Sequence, residues 1–136
     1  MNRVHATDLP RFLRQFKLTG GLIRGVRLKH AAEKAATVEF RLTVREPIVK
    51  LGDKPKKIKL TLRLGGVEEY RFQMRPGQHK SRVADARIGY LNGMFFVSLD
   101  SLGLEPNEAA QVFDFRASEV YAAGRELSWS EGERPA

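Results

Sequence analysis

Asn92-Gly93 sits between two apolar runs, Ile88-Gly89-Tyr90-Leu91 and Met94-Phe95-Phe96-Val97. A type I′ turn needs positive φ at both central residues, and Asn-Gly supplies it at low steric cost. The chain is therefore expected to reverse here as a tight hairpin. Leu91 then faces Met94, Tyr90 faces Phe95, Gly89 faces Phe96 and Ile88 faces Val97. One face carries Ala86, Ile88, Tyr90, Phe95, Val97 and Leu99 and belongs in a core. The other carries Arg87, Gly89, Leu91, Met94, Phe96 and Ser98 and is mixed. Gly89 opposite Phe96 leaves bare backbone for the ring to lie on.

Two further stretches alternate without error. Val38, Phe40, Leu42 and Val44 alternate with Glu39, Arg41, Thr43 and Arg45. Ile58, Leu60, Leu62 and Leu64 alternate with Lys57, Lys59, Thr61 and Arg63. A period of two marks half-buried antiparallel strands. Pairing is expected to set Glu39 opposite Arg63, Phe40 opposite Leu62 and Arg45 opposite Lys57. Gly65-Gly66 reads as a turn into a strand from Val67 to Met74, with Leu64, Gly65 and Gly66 as a three-residue loop. That register buries Tyr70 and Phe72, worth roughly 1.5–3 kcal/mol each, whereas a one-residue slip exposes them.

The remaining segments fill in around these. Thr7-Asp8 reads as an N-cap, and Leu9, Phe12, Leu13 and Phe16 lie on one face of a short helix over about 8–17, ended by Gly20-Gly21. Leu22 to Lys29 reads as a strand. Val112 to Tyr121 reads as another, turned by Ala123-Gly124 into a last strand over Arg125 to Ser130, before a frayed tail at 131–136. The sum is a mainly β chain of about eight antiparallel strands in sequential hairpins, closing as an up-and-down barrel or folding as a sandwich behind one N-terminal helix. The length of 136 residues fits a single domain, 1–136.

Composition narrows the chemistry. There is no cysteine, hence no disulfide, thiolate metal site or cysteine nucleophile. No apolar run approaches a membrane span and the first residues lack an apolar leader core, so a cytoplasmic protein without membrane contact is expected. His5, His30 and His79 fall in separate loops without metal spacing and read as solvated. Ser98 or Ser101 with Asp100 lacks a nucleophile elbow, and Glu68 and Glu69 point to opposite faces. Asp85 and Arg87 read as an ion pair. No catalytic residue, metal or cofactor is assigned.

Two candidate surfaces remain. Lys and Arg total 24 against 16 Asp and Glu; residues 1–99 hold 21 basic and 8 acidic side chains, and residues 100–136 hold 3 and 8. Arg41, Arg45, Lys57, Lys59, Arg63 and Arg71 fall on outward strand positions, with Lys50, Lys54, Lys56, Lys80 and Arg82 in loops. Such a face either binds a polyanion or is a solvated face that blunts an edge. Leu91, Met94 and Phe96 form an apolar patch, either for a partner or a second copy, or covered by a helix or second sheet of this chain.

The stretches GGLIRGVRL, VEFRLTV, LTLRLGGVEEYRF and FRASEVYA resemble, in layout across most of the chain, a loose class of small bacterial β-domain proteins, some of them toxin-immunity proteins. The resemblance implies partner binding without catalysis and carries over no functional residues. The first expectation is therefore a binding module acting through protein contact. The alternatives are nucleic-acid or polyanion binding through the basic face, and a small-ligand barrel or enzyme.

Overall fold

The computed structural model describes residues 1–30, 35–46, 52, 54, 56–73, 81–101, 104, 105 and 107–132. The strands are β1 (Asn2–Val4), β2 (Lys17–Lys29), β3 (Ala36–Arg45), β4 (Lys57–Phe72), β5 (Ser81–Arg82), β6 (Arg87–Leu91), β7 (Met94–Ser98) and β8 (Val120–Glu131), with helices α1 (Leu9–Gln15) and α2 (Val112–Arg116). All lie in one antiparallel sheet of order β5-β2-β3-β4-β8-β7-β6, and β1 pairs β8. The sheet does not close into a barrel. Its two ends, β5 and β6, are consecutive along the chain. Near them, the Gly20 N–H donates to the Val83 carbonyl at 2.8 Å and the Ala86 N–H to Thr19 Oγ1 at 3.0 Å.

The expected hairpin forms with Leu91 opposite Met94 and Ile88 opposite Val97. Asn92 has φ 53° and Gly93 φ 78°, both in the left-handed region that a type I′ turn requires. β3 and β4 pair as their alternation predicts, Glu39 opposite Arg63, Phe40 opposite Leu62 and Arg45 opposite Lys57. Val38, Phe40, Leu42, Val44, Leu60, Leu62 and Leu64 are all fully buried.

Four expectations about turns and elements are corrected. Gly65-Gly66 is not a hairpin turn. β4 continues through it as one strand, with Gly66 at φ 59° and a register shift between Val67 and Glu69. Ala123-Gly124 is not a turn either; β8 is one strand that pairs β4 from Leu60 opposite Glu131 to Phe72 opposite Val120. The two glycine sites meet. A Cβ on Gly124 would stand 2.7 Å from the Gly65 carbonyl oxygen, so only glycine lets the strands approach. Residues 112–116 are helix, not strand. The N-terminal helix is shorter than expected, and Asp8 stands at its N-cap without a side-chain hydrogen bond. Phe16 is already extended, at φ −136° and ψ 135°. It is buried there, its ring 5.1 Å from that of Trp129.

Beyond the glycines, β4 and β8 carry the sheet over onto itself, and side chains from both halves share one core. Phe40 of β3 lies edge-on to Phe72 at the far end of β4, ring centres 5.9 Å apart. Tyr70 stacks on Phe72 at 5.4 Å on the same face, but it is 46% exposed at the rim and not buried as expected; Tyr90, assigned to the core face of the hairpin, is likewise 45% exposed. The core also takes in Ile88, Phe95, Val97 and Leu99 from the hairpin and Phe12 from α1. Met74 and most of the basic turn that follows it lie outside the described residues.

Candidate functional site: a basic sheet face

The inward set of β2, β3 and β4 is apolar, so the pleat forces the intervening residues outward. The register then sorts them into rows. One row runs Lys17–Arg45–Lys57, and the next carries Leu22, Thr43 and Lys59. Gly25, Arg41, Thr61 and Ser130 follow, and after them Arg27, Glu39, Arg63, Ser128 and Arg3. Lys29 lies beyond, opposite Thr37. Lys17, Arg27, Arg41, Arg45, Lys57 and Lys59 are exposed and Arg63 is half-buried. Glu39, only 2% exposed, sits in register between Arg27 and Arg63. Arg3 is engaged by Glu126 at 3.6 Å.

Five of the six cations expected on this face are thus brought together: Arg41, Arg45, Lys57, Lys59 and Arg63. The sixth, Arg71, is carried past the glycine corner. It donates to the backbone carbonyls of Arg116 at 2.8 Å and Ser118 at 3.4 Å, and its guanidinium lies 5.8 Å from the Tyr121 ring centre. Lys17, Arg27, Lys29 and Arg3 join the face through the pairing of β2 and β1, which alternation within single strands does not reveal. Lys54 and Lys56 are exposed in the connection after β3, and Arg82 is exposed on β5; Lys50 and Lys80 lie outside the described residues.

The apolar patch has the other fate. Phe96 is 1% exposed beneath Phe115 of α2, ring centres 5.3 Å apart. Leu91 and Met94 are half-buried against the same cluster, with Ala110 and Val112. α2 closes on itself through a reciprocal cap: the Gln111 N–H donates to Asp114 Oδ2 at 2.8 Å, and the Asp114 N–H to the Gln111 carbonyl at 3.0 Å. Arg116 grips Glu69 at 2.7 Å, and Tyr121 donates its hydroxyl proton to the same carboxylate at 3.3 Å. The Arg116 hydrogen bond holds the Glu69 carboxyl below the usual glutamate range, while burial and that carboxylate push the Tyr121 phenol up.

The serines near the start of β8 bond one another. Ser101 donates to Ser98 at 2.8 Å and Ser98 to Ser118 at 2.9 Å. Ser118 in turn bonds Asp100, whose carboxylate also accepts the Glu119 and Val120 N–H groups at 3.1 Å. This chain of buried hydroxyls staples the start of β8 to the end of β7. His5 and His30 are exposed, His79 lies outside the described residues, and no cluster of metal-ligating side chains occurs among the described residues. A cleft of about 910 Å³ follows the open seam between β6 and the α1–β2 junction, lined by Leu13, Phe16, Leu18, Ile88, Leu91 and Phe115 among others. Its Arg87 is occupied by Asp85 at 3.2 Å and by the Glu105 and Glu108 carbonyls at 2.9 and 2.8 Å.

No helix among the described residues is long and apolar enough to cross a membrane. No family model, curated protein or solved structure matches the chain.

Proposed function

We propose that the protein is a non-catalytic cytoplasmic module that binds polyanions on the outward face of β2, β3 and β4. The observation that carries this is the register. It gathers Lys17, Arg45 and Lys57 in one row, with Lys59, Arg41, Arg27 and Arg63 in the rows beside it. A grid of cations fixed to strands loses no backbone freedom on binding, and each phosphate it neutralises releases counterions. The acidic third of the chain, with α2, covers the opposite layer instead of this one. Burial of Phe96 under α2 moves the weight away from the Leu91, Met94 and Phe96 patch as the principal contact.

Retention on a heparin resin tests the proposal. The wild-type chain is expected to elute only at high salt, and Lys57→Glu with Lys59→Glu to elute much earlier with an unchanged far-UV spectrum. Both side chains are exposed, and the unchanged spectrum separates a loss of charge from a loss of fold. Equal elution of wild type and double variant would refute it.

Contact with another protein, or with a second copy, is the second reading. It is supported by Phe113, 71% exposed on α2. Concentration-dependent mass in sedimentation would mark the self-associating form.

A further inference from the structure

We infer that the ligand of the basic face is double-stranded nucleic acid held through its phosphates, without reading of base sequence; this rests on the polyanion proposal above. Three observations select a duplex among polyanions.

The first is the absence of stacking partners. Proteins that hold single strands combine a charged groove with aromatic side chains on which successive bases stack, at about 1–3 kcal/mol per base. The outward positions of β2, β3 and β4 that lie in these rows carry Lys, Arg, Thr, Glu, Gly and Leu22, and no aromatic ring. The rings of this half of the sheet, Phe40, Phe72 and Trp129, pack on the inward side. Bases already stacked within a helix ask nothing of the protein in that respect; unstacked bases would find no surface here.

The second is dimension. Neighbouring strands are ~4.8 Å apart and alternate side chains along one strand ~6.8 Å apart. Arg27 on β2 and Arg3 on β1 are separated by four strand gaps, hence ~19 Å. The cations spread in two directions over this width and do not line one furrow. A single backbone would touch one row. Two backbones flanking a groove, about 12 Å apart in the major groove of B-form DNA, would engage the Lys57 and Lys59 rows on one side and the Arg63 row on the other.

The third is charge density. A duplex carries one charge per ~1.7 Å of axis against ~3.4 Å for one of its strands, and its binding responds to salt with a slope near −0.9 per phosphate contact against about −0.7. A face that relies on counterion release alone gains most from the denser ligand. The lysines and arginines meet phosphate oxygens equally well in any sequence.

Fluorescence anisotropy on the full chain tests this, with labelled duplexes of about 24 base pairs in two unrelated sequences, their separate single strands, and phosphatidylserine-containing vesicles as competitor, at about 50 and 200 mM salt. Both duplexes are expected to bind equally and at least ~10-fold more tightly than either single strand. About five contacts would weaken binding by ~500-fold between the two salt concentrations. Lys57→Glu with Lys59→Glu is expected to abolish the binding, whereas Arg11→Glu, on exposed α1, leaves it intact. Single strands binding as well as duplexes, a strong preference between the two sequences, or displacement by vesicles at matched charge would overturn the duplex inference while the polyanion proposal stands. No binding of any polyanion at the lower salt would overturn both.

Discussion

Replacing Phe115 by alanine probes how the second layer is held. α2 has five residues, far short of the ~12–15 that an isolated helix needs, so tertiary contacts hold it. Phe115 is the one residue of α2 that is fully buried, at 1% exposure, its ring tilted against that of Phe96 with centres 5.3 Å apart. It lies so close to β6 that a Cβ on Gly89 would meet its ring carbons at 3.4 Å. Phe115→Ala removes that ring and leaves a gap beside the half-buried Leu91 and Met94. Phenylalanine deletions in such cores cost ~3–5 kcal/mol, a large part of the ~5–15 kcal/mol by which a domain of this size is stable. The upper end applies if α2 stays docked over a cavity. If α2 instead swings away, Phe96, Leu91 and Met94 meet water, the global loss is smaller, and binding of a hydrophobic dye rises. Denaturant unfolding with dye fluorescence on the native state separates the two outcomes. A loss below ~1 kcal/mol with no gain in dye binding would refute the view that this ring anchors α2.

Two further perturbations test the glycine corner and the α2 ion pair. Gly124→Ala forces a Cβ to within 2.7 Å of the Gly65 carbonyl oxygen and should cost ~1–3 kcal/mol or more, whereas Gly25→Ala, with no atom within 4 Å, should be close to neutral in the same unfolding assay. Arg116→Gln should destabilise at neutral pH and have no effect in acid. Glu69 has its native pKa lowered, so its contribution is complete above the ordinary glutamate range and disappears as pH falls through that range to the lower native value. Unfolding at about pH 7 and about pH 3 reads the difference, and an Arg116→Gln penalty equal at both would refute it.

The parts of the fold legible in the chain are those where one local signal acts alone. Asn92-Gly93 determines its hairpin because no neighbour competes with the turn, and the alternation of β3 and β4 determines their register because a slip would expose seven fully buried side chains from Val38 to Leu64. The misread segments are those where a distant partner overrides local preference. Gly65-Gly66 and Ala123-Gly124 carry turn composition, yet each strand supplies the other with ladder hydrogen bonds, and the glycines serve close approach between backbones. Val112, Phe113 and Phe115 favour strands by side-chain type. The Gln111 and Asp114 spacing was the available sign of a helix start, and burial of Phe115 on Phe96 completes it. The basic face was legible in part for the same reason. Arg41, Arg45, Lys57, Lys59 and Arg63 follow from alternation, but Lys17, Arg27 and Arg3 enter through pairing with distant strands, and Arg71 leaves because the corner turns it toward α2.

The two layers also differ in sign. Cations crowd the outside of β2, β3 and β4, while Glu105, Glu108, Asp114 and Glu119 belong to the segment that lies over the hairpin layer. A body so divided carries a built-in electric moment, and in the field of a negatively charged partner it turns before it touches. Encounters are then sorted by orientation while the surfaces are still about a Debye length, ~10 Å, apart, and added electrolyte slows capture by blurring that alignment.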